Sequence, residues 1–376
     1  MAGIYLHIPF CKQACHYCNF HFSTSLHYKP ELVAALQEEA RLAAEQFPFP
    51  PGEAVHTIYF GGGTPSLLTL AELTQLLTAV RGHFNVDPDA EITLEVNPDD
   101  ISEERLKEWR DAGINRLSIG VQSFFEEELR WMNRAHTAKQ ALEQVKKARE
   151  YFNNITIDLI YGGPGLSDEQ WHQDLEQAKA LNIPHLSCYA LTVEPQTPLN
   201  KMIRAGKVPD VDPDKQSRHF LYLMQWAKEN GYEHYEISNF ARPGYRSRHN
   251  SAYWQGKSYI GLGPSAHSFD GKSRWWNIAN NQAYIRSLQE GLIPFEKEEL
   301  TGVQQLNERI MIALRTADGL DLSHIPSLEK TQLLKAAQRH IDAGHLVAQE
   351  NKLRLTDEGR LLADGIAADL FFEEIK

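Results

Sequence analysis

Three of the four cysteines lie within eight residues, in the pattern Cys11-x3-Cys15-x2-Cys18. Thiols this close together in one loop are typical of metal binding, and iron–sulfur clusters take their ligands from cysteines at such short spacings. Three thiolates would leave the fourth iron of a [4Fe–4S] cluster open to a small molecule. Two alternatives stay open at this point: a structural zinc ion completed by His16 or His21, and three thiols without a metal.

Short β-branched or aromatic runs alternate with longer segments of helical apolar spacing through the first half of the chain. Strands are predicted at residues 4–8, 57–60, 91–96, 116–121, 156–160 and 185–189. Helices are predicted at residues 31–44, 70–80, 103–111, 138–151 and 168–180. Six strand–helix units predict parallel strands joined by right-handed crossovers, too few for a closed eight-unit barrel. The predicted fold class is therefore α/β, with a partial (β/α)6 barrel.

Residues with unusual chemistry follow each predicted strand. The cysteine loop follows the first strand, and the later strands are followed or closed by residues 61–65, 95–98, 122–124, 158 with 161–165, and 190–195. In parallel α/β folds, ligands bind at the carboxyl ends of the strands. The sequence therefore predicts one site that collects all of these segments at one mouth of the barrel.

The alternation fades after residue 209, where a helix is predicted at residues 216–230. Residues 300–376 read as several helices with a hairpin formed by residues 345–349 and 352–356, which predicts a winged-helix-like domain. The predicted organisation is a partial barrel at 1–235, a connecting region at 236–299 and the C-terminal domain at 300–376. Residues 301–376 hold 9 Lys and Arg against 12 Asp and Glu, which favours packing or partner docking over phosphate contact.

The composition of the 376 residues, with 42% hydrophobic and 23% charged, is typical of a globular protein. No apolar run approaches the ~18 residues of a membrane-spanning helix, and no basic amphipathic stretch supports a peripheral membrane contact, which stays open. The net charge of −12 argues against a nucleic-acid partner. A start without the features of a signal peptide predicts a cytoplasmic protein.

Cys188, alone in a predicted strand, is expected to be a buried apolar residue.

The run from Tyr5 to Cys18 resembles the signature of the radical S-adenosylmethionine (SAM) superfamily and, more narrowly, the anaerobic coproporphyrinogen III oxidase family, which is HemN-like. Residues 61–65, 95–98, 120–124, 133–136 and 158–162 match the same family in order. The resemblance covers essentially the whole chain. The combination of motifs is specific, whereas the triple glycine alone would be a weak signal.

This resemblance implies that Cys11, Cys15 and Cys18 hold a [4Fe–4S] cluster that binds SAM at its fourth iron. An electron from the reduced cluster can then cleave SAM to a 5′-deoxyadenosyl radical, while the protein orients the cofactor and excludes water. Glycine permits close approach of the backbone, carboxylate and amide groups bind hydroxyl and ammonium groups, and a guanidinium fork binds a carboxylate. The cofactor-binding residues implied in this way are Tyr5, Gly62, Gly63, Thr64, Glu95, Gln122, Arg134 and Asp158, with Ala190 as a weaker candidate.

Structural roles are the alternative for several of these residues. The glycines at 61–63 would then form only a tight turn, and Glu95 and Asp158 would cap helices. Gln122 would be a buried amide with satisfied hydrogen bonds, and Arg134 would form a surface ion pair.

Two departures from the oxidase pattern match the HemW subfamily, which consists of radical SAM relatives that bind heme and act as heme chaperones. The oxidases carry a fourth cysteine two residues after the third, where this chain has Phe20. The oxidases also have an N-terminal extension, whereas three residues precede the first predicted strand here. Tyr17 and Phe20 are expected to form an apolar wall beside the cluster.

The sequence from His249 to Tyr253, His-Asn-Ser-Ala-Tyr, resembles the HNxxY motif that is associated with heme in that subfamily. Imidazole and tyrosinate are both axial ligands of heme iron. Arg242, Arg246 and Arg248 are expected to meet the heme propionates. The alternative is that His249 is an ordinary histidine in a polar loop.

The resemblance therefore implies a heme chaperone that holds a [4Fe–4S] cluster, SAM and heme and transfers heme to target hemoproteins. Coproporphyrinogen oxidase activity is not expected. The first alternative is a true oxygen-independent coproporphyrinogen III oxidase of porphyrin metabolism, which converts propionates to vinyl groups. The second is a radical SAM enzyme acting on another substrate.

Overall fold

Six parallel strands lie side by side in chain order at the centre of the fold. The computed structural model describes residues 2–373 of the chain. The strands are β1 (Ala2–Ile8), β2 (Val55–Gly62), β3 (Val86–Val96), β4 (Arg116–Gln122), β5 (Ile155–Tyr161) and β6 (His185–Ala190). Their order confirms the predicted α/β class with a partial barrel, and each predicted strand lies inside an observed one.

Helices connect these strands, as their apolar spacing predicts. They are α1 (Lys29–Gln46), α2 (Leu70–His83), α3 (Glu103–Asp111), α4 (Glu126–Trp131), α5 (Ala138–Tyr151) and α6 (Asp168–Ala180). Capping boxes begin α2, α5 and α6, at Thr69, Thr137 and Ser167. In each box, the side chain of the capping residue accepts a hydrogen bond from the backbone N–H of the third helical residue, and the side chain of that residue accepts one from the backbone N–H of the capping residue. These caps explain why the helix starts could be read from the sequence.

The second half of the chain widens the sheet at both edges. Its elements are α7 (Pro198–Arg204), α8 (Pro213–Glu229), β7 (Glu233–Glu236), β8 (Asn239–Ala241), α9 (Arg248–Trp254), β9 (Tyr259–Leu262), β10 (His267–Phe269), β11 (Ser273–Asn277), α10 (Asn281–Gln289) and β12 (Phe295–Glu299). Within the described chain, the sheet runs β12-β11-β10-β9-β1-β2-β3-β4-β5-β6-β8-β7. The sequence analysis did not predict these added strands, because most of them are three to five residues long and lack a clear alternation.

The C-terminal part has its own small sheet and apolar core. Its elements are α11 (Gly302–Leu314), β13 (Leu320–Asp321), α12 (Ser327–Asp342), β14 (Leu346–Gln349), β15 (Lys352–Leu355), α13 (Asp357–Arg360) and α14 (Ala363–Asp369). The predicted hairpin is confirmed, and its turn residues Glu350 and Asn351 have positive φ angles of 51° and 59°. Helices followed by this wing agree with the winged-helix-like prediction. The predicted bounds of the three parts stay a prediction, and residues 374–376 lie outside the described residues.

An ion pair and a shared apolar residue join the two parts. Glu236, at the end of β7, is almost fully buried and pairs with Arg315, whose Nη2 lies 3.1 Å from a carboxylate oxygen. Ile237 packs against both apolar cores. No helix within residues 2–373 is long and apolar enough to cross a membrane.

Candidate functional site

A cavity of about 470 Å³ opens at the carboxyl ends of the parallel strands. It collects the residues that the sequence predicts for the cluster and SAM, because the ends of all six strands meet at this edge. The predicted residues that line it are Cys11, Cys15, Cys18, Gly62, Gly63, Thr64, Glu95, Gln122, Arg134, Asp158 and Ala190. The predicted wall residues Tyr17 and Phe20 also line this cavity, and Phe20 is 67% exposed.

The three cysteines of the loop are free, half-buried thiols on one side of the cavity. Burial and, to a smaller extent, the neighbouring thiols of Cys15 and Cys18 raise the pKa of the Cys11 thiol to about 11, against the effect of a hydrogen bond from Thr64, which lowers it. Among residues 2–373, no three His, Cys, Asp or Glu side chains already converge on a point that would suit a single metal ion. The thiols therefore share one wall of the cavity without converging on a single point.

The two histidines considered as zinc ligands are engaged elsewhere. His16 Nδ1 lies 2.6 Å from the carbonyl oxygen of Trp131, and His21 Nε2 lies 2.7 Å from Asn281 Oδ1. Neither ring lines the cavity that the cysteines share. The fourth cysteine, Cys188, is 1% exposed on β6, as expected for a buried apolar residue.

Arg134 is half-buried beside the cysteine loop and is held there by hydrogen bonds. Its Nη1 donates to Cys15 Sγ at 3.3 Å, and its Nη2 donates to Asn97 Oδ1 at 2.6 Å and to the Gly120 carbonyl at 2.8 Å. Its Nε is buried without a partner in the described chain. A buried donor without an acceptor is costly, so this guanidinium is suited to an anionic ligand in the cavity.

Two half-buried carboxyl groups face the same cavity, Glu95 from β3 and Asp158 from β5. Partial burial raises the pKa of Glu95 to about 7 and that of Asp158 to about 6, and the negative charge of Asp158 contributes to the rise at Glu95. Tyr59 donates to Glu95 at 2.7 Å, and Ser118 donates to Asp158 at 3.3 Å. Neither carboxyl caps a helix, so the site keeps two acceptors for hydroxyl or ammonium groups.

The glycines line the cavity, but the surrounding protein already requires them. A Cβ at Gly62, where φ is 105°, would lie 2.6 Å from the His7 ring, and a Cβ at Gly63 would lie 2.6 Å from the Phe10 carbonyl oxygen. At Gly61 the nearest atoms belong to Tyr5 and Tyr59. Neighbouring protein atoms therefore already exclude a side chain at these positions. The close approach of a ligand is not needed to explain why they are glycines.

Other cavity residues were absent from the predicted set. Asn97 bridges Arg134 and Thr64, because its amide nitrogen donates to Thr64 Oγ1 at 3.2 Å while its oxygen accepts from Arg134. Tyr189, near the end of β6, is 44% exposed and lines the cavity. Asn97 belongs to the segment 95–98 that the sequence analysis placed at this mouth of the barrel, although it was not named as a cofactor-binding residue. The same rule, that strand ends supply site residues, would have found Tyr189. Gln122, which was predicted, adopts a positive φ of 68° at the end of β4, a strained conformation that is common at functional sites.

A second cavity of about 490 Å³ brings the His249 motif to the outer side of β1. His249 and Tyr253 are four residues apart on α9 and therefore share one face of the helix. Both line this cavity together with Tyr5 and Phe20. Tyr5 thus lines this cavity and not the cysteine cavity, where the sequence analysis expected it, and its hydroxyl oxygen lies 3.1 Å from His7 Nδ1.

His249 lies on a short helix against the sheet, not in a polar loop. Its Nδ1 is 2.9 Å from Thr57 Oγ1, and its ring stacks on Tyr59 at 4.9 Å between centroids. Burial lowers the pKa of His249 to about 4. The imidazole is therefore neutral near pH 7, and Nδ1 is held by Thr57 while Nε2 is left for another partner.

Glu91 fixes the start of the helix that carries His249. This carboxylate on β3 is 4% exposed and accepts hydrogen bonds from the backbone N–H groups of Arg248 and His249, both at 3.1 Å. A carboxylate at a helix start satisfies N–H groups that have no partner within the helix.

We expect Glu91→Gln to lower the free energy of unfolding by about 1–2 kcal/mol, because the amide loses the charge-assisted bonds at the start of α9. Denaturant unfolding of both proteins would measure the difference. Glu104→Gln, at an exposed glutamate of α3, is the matched control and should change the stability by less than about 0.5 kcal/mol. Equal stability of the two variants would contradict the role of Glu91.

The three arginines that precede His249 in the sequence contact other parts of the protein. Arg242 hydrogen-bonds Asn182 and lies over the Tyr232 ring, Arg246 pairs with Glu233, and Arg248 donates to the Asp89 carbonyl at 2.7 Å. None of the three arginines lines the His249 cavity. Residues close in sequence diverge here because a turn and the start of α9 direct their side chains to different faces.

The two cavities are connected through one tyrosine. Tyr59 donates to Glu95 in the cysteine cavity and stacks on His249 in the other cavity. Phe20 lines both cavities. The site is therefore bipartite, with the cysteine loop and half-buried carboxyl groups in one cavity and a neutral histidine with exposed aromatic rings in the other.

Comparisons with known proteins identify relatives along the whole chain. Residues 5–178 match the family model of the radical SAM superfamily, and residues 300–362 match that of the HemN C-terminal domain. A protein named heme chaperone HemW from Mycobacterium tuberculosis is 36% identical over 98% of this chain and 94% of its own length. The heme chaperone HemW of Bacillus subtilis is 31% identical over 97% and 98%.

A relative from zebrafish (Danio rerio), named radical S-adenosyl methionine domain-containing protein 1, mitochondrial, is 31% identical over 99% of this chain and 87% of its own. Among solved structures, coproporphyrinogen III oxidase (HemN) from Escherichia coli, described as a radical SAM enzyme, superposes with a TM-score of 0.85. The two chains are 26% identical, and the match covers 98% of this chain and 90% of that one.

Proposed function

Because this chain belongs to the HemW family of the radical SAM superfamily, we propose that it works as a heme chaperone, which binds heme and transfers it to target hemoproteins. The observation that supports this proposal most directly is the cavity that His249 and Tyr253 share with exposed aromatic side chains. A neutral imidazole beside apolar rings suits a flat ligand with a metal ion at its centre.

Membership in the radical SAM superfamily implies a [4Fe–4S] cluster and SAM as cofactors. The donor set fits the cluster, since three free thiols share one wall of a single cavity and Arg134 donates to the thiol of Cys15. When bound, the cluster supplies the electron that cleaves SAM. We propose that Cys11, Cys15 and Cys18 hold it, with Tyr17 and Phe20 as the wall that limits access of water.

The other residues of the cysteine cavity are proposed to orient SAM. The partnerless Nε of Arg134 makes it a candidate for the SAM carboxylate. Glu95 and Asp158 offer acceptors to the ammonium and ribose hydroxyl groups, and a positive charge beside them would favour their ionised forms. Gln122 and Thr64 supply further polar contacts from the strand ends.

In the cavity that contains His249, this residue is proposed to bind the heme iron and Tyr253 to lie beside the macrocycle. Histidines that bind metals usually use one ring nitrogen while the other is held by a hydrogen bond. The contact of His249 Nδ1 with Thr57 provides that second bond.

The low pKa of His249 predicts how heme affinity depends on pH. A histidine with its ordinary pKa near 6.5 would bind iron progressively more weakly below neutrality. With a pKa of about 4, His249 is neutral above about pH 5, so its contribution is present there and is lost as the pH falls through 4. We expect the ratio of heme affinities of the wild type and His249→Ala to stay constant between about pH 5 and pH 8. A ratio that falls steadily below about pH 7 would contradict this assignment.

A coproporphyrinogen oxidase is the second candidate, because the full-length structural match is to such an oxidase. The decisive assay incubates anaerobically reconstituted, reduced protein with SAM and coproporphyrinogen III and separates the porphyrin products by chromatography. We expect SAM cleavage without a vinyl-bearing product. A vinyl-bearing product would establish that the protein is an oxidase. The presence of Phe20 in place of the oxidases' fourth cysteine would then no longer argue against this activity.

Heme transfer needs its own assay, since binding alone does not make a chaperone. Heme-loaded protein would be mixed with the apo form of a bacterial hemoprotein, and the spectrum of the recipient would be followed over time. Transfer that is faster from this protein than from heme-loaded serum albumin supports the proposal, whereas equal rates would indicate passive release. A cytoplasmic location is part of the proposal, in keeping with four free cysteines in a reducing compartment.

A further inference from the structure

The cavity that contains His249 continues into a larger groove of about 1090 Å³. The groove lies between the added strands of the sheet and the C-terminal helices α11 and α12. Tyr253, Tyr259 and Arg274 line both spaces, so the two are continuous at these three side chains. A ligand whose centre faces His249 would therefore extend toward Arg274.

Arg274 has a buried donor that no group in the described chain accepts. Its side chain comes from β11, lies over the Phe269 ring at 5.8 Å and pairs through Nη2 with Glu308 of α11. The unsatisfied donor is its Nε. An unsatisfied buried donor is costly, and the fork of a guanidinium is shaped for a carboxylate.

Lys257 supplies a second positive charge to the same space. It follows α9, is exposed and lines the His249 cavity. Among residues 2–373, no ion pair or hydrogen bond involves its ammonium group, unlike Lys215, whose ammonium group is held by three carbonyl groups. Two cations without full partners thus lie on the walls of one cavity.

The remaining walls are aromatic and open. Phe20 is 67% exposed and Tyr253 is 40% exposed, although both are large apolar side chains. Exposed apolar surface that is grouped in a cavity marks a binding site, and aromatic rings stack on flat ligands. The combination of a neutral imidazole, aromatic walls and two cations is suited to a flat, apolar ligand with carboxylates at one edge.

We propose that Arg274 and Lys257 form a carboxylate-binding subsite that takes the two propionates of a heme whose iron faces His249. This inference rests on the proposed heme-binding function and replaces the three arginines that the sequence analysis expected in this role. It also gives the C-terminal part a function in binding, because Glu308 of α11 holds Arg274 at the junction of the two spaces.

The test compares heme with heme dimethyl ester, which has the same macrocycle and iron but no carboxylates. Equilibrium titrations would give the affinity of each ligand for the wild type, for Lys257→Ala and for the double variant Arg274→Ala/Lys257→Ala. We expect the wild type to bind heme at least tenfold more tightly than the ester. The double variant should bind both ligands equally, with its affinity for the ester unchanged.

Lys257→Ala alone is expected to lose part of the discrimination between heme and its ester. Because Lys257 is exposed, this single variant is expected to fold, so it tests the subsite even if the loss of the Arg274–Glu308 pair unfolds the double variant. Arg242→Ala, which removes an arginine outside the cavity, is the matched control and should discriminate like the wild type. Full discrimination by Lys257→Ala and by a folded double variant would overturn the subsite. If the Lys257 and Arg274 variants lose this discrimination but His249→Ala binds heme as tightly as the wild type, the subsite stands and the assignment of His249 as the iron ligand is wrong. Absence of heme binding to the wild type would overturn both.

Discussion

Replacing Cys15 with alanine is expected to abolish cluster assembly, reducing the iron content after anaerobic reconstitution from about four atoms per chain to less than about one. Cys15 lies between the other two thiols in the loop and is the one that Arg134 contacts, at 3.3 Å. Its loss leaves two thiols for four irons. Iron and sulfide analysis, together with absorption near 400 nm, would measure the effect.

Cys188→Ala is the matched control, because it removes the fourth cysteine from a buried position on β6. We expect full iron content and a loss of about 1 kcal/mol in the free energy of unfolding, which reflects the vacated volume. Equal iron contents in Cys15→Ala and the wild type would refute the cluster assignment. A loss of iron in Cys188→Ala with folding intact would show that the fourth cysteine is a ligand.

His249→Ala is expected to lower heme affinity by about 100-fold or more, because it removes the proposed axial ligand, whereas loss of an outer partner typically costs 10–100-fold. The spectrum of any heme that still binds should change, since the band positions report the axial ligand. Heme titration of the wild type and the variant, followed by absorption, would measure both effects.

Two further variants separate ligation from packing. Thr57→Val removes the hydroxyl that holds Nδ1 at 2.9 Å and should lower heme affinity by about tenfold without changing the ligand. His83→Ala removes an exposed histidine at the end of α2 and should change nothing. An unchanged affinity and spectrum in His249→Ala would show that this residue does not bind the iron.

Local signals made the first half of the fold readable from the sequence. The residues at 69, 137 and 167 start helices through capping boxes, which are interactions over three residues, and the helices at 103–111, 138–151 and 168–180 have the predicted bounds. Periodic apolar residues likewise predict buried strands. The positions of the cavity residues at strand ends followed from the topology, since the carboxyl ends of parallel strands meet at one edge.

Contacts between distant segments could not be read in this way. Strand β9 pairs with β1 across more than two hundred residues, and it is this pairing that brings the His249 motif beside Tyr5. The same packing places Arg274 in the cavity that contains His249. It also leaves Arg242, Arg246 and Arg248 outside that cavity. A strand of three to five residues carries too little pattern to specify its partner.

The sequence by itself determined the cysteine loop, the six parallel strands and the wing, because short-range spacing, caps and turns encode them. The tertiary structure decided that the site has two cavities, that Tyr59 connects them and that Glu91 holds the start of α9. The physical reason is that burial and side-chain direction arise when segments far apart in the chain exclude water together, and no local pattern specifies which of them will meet.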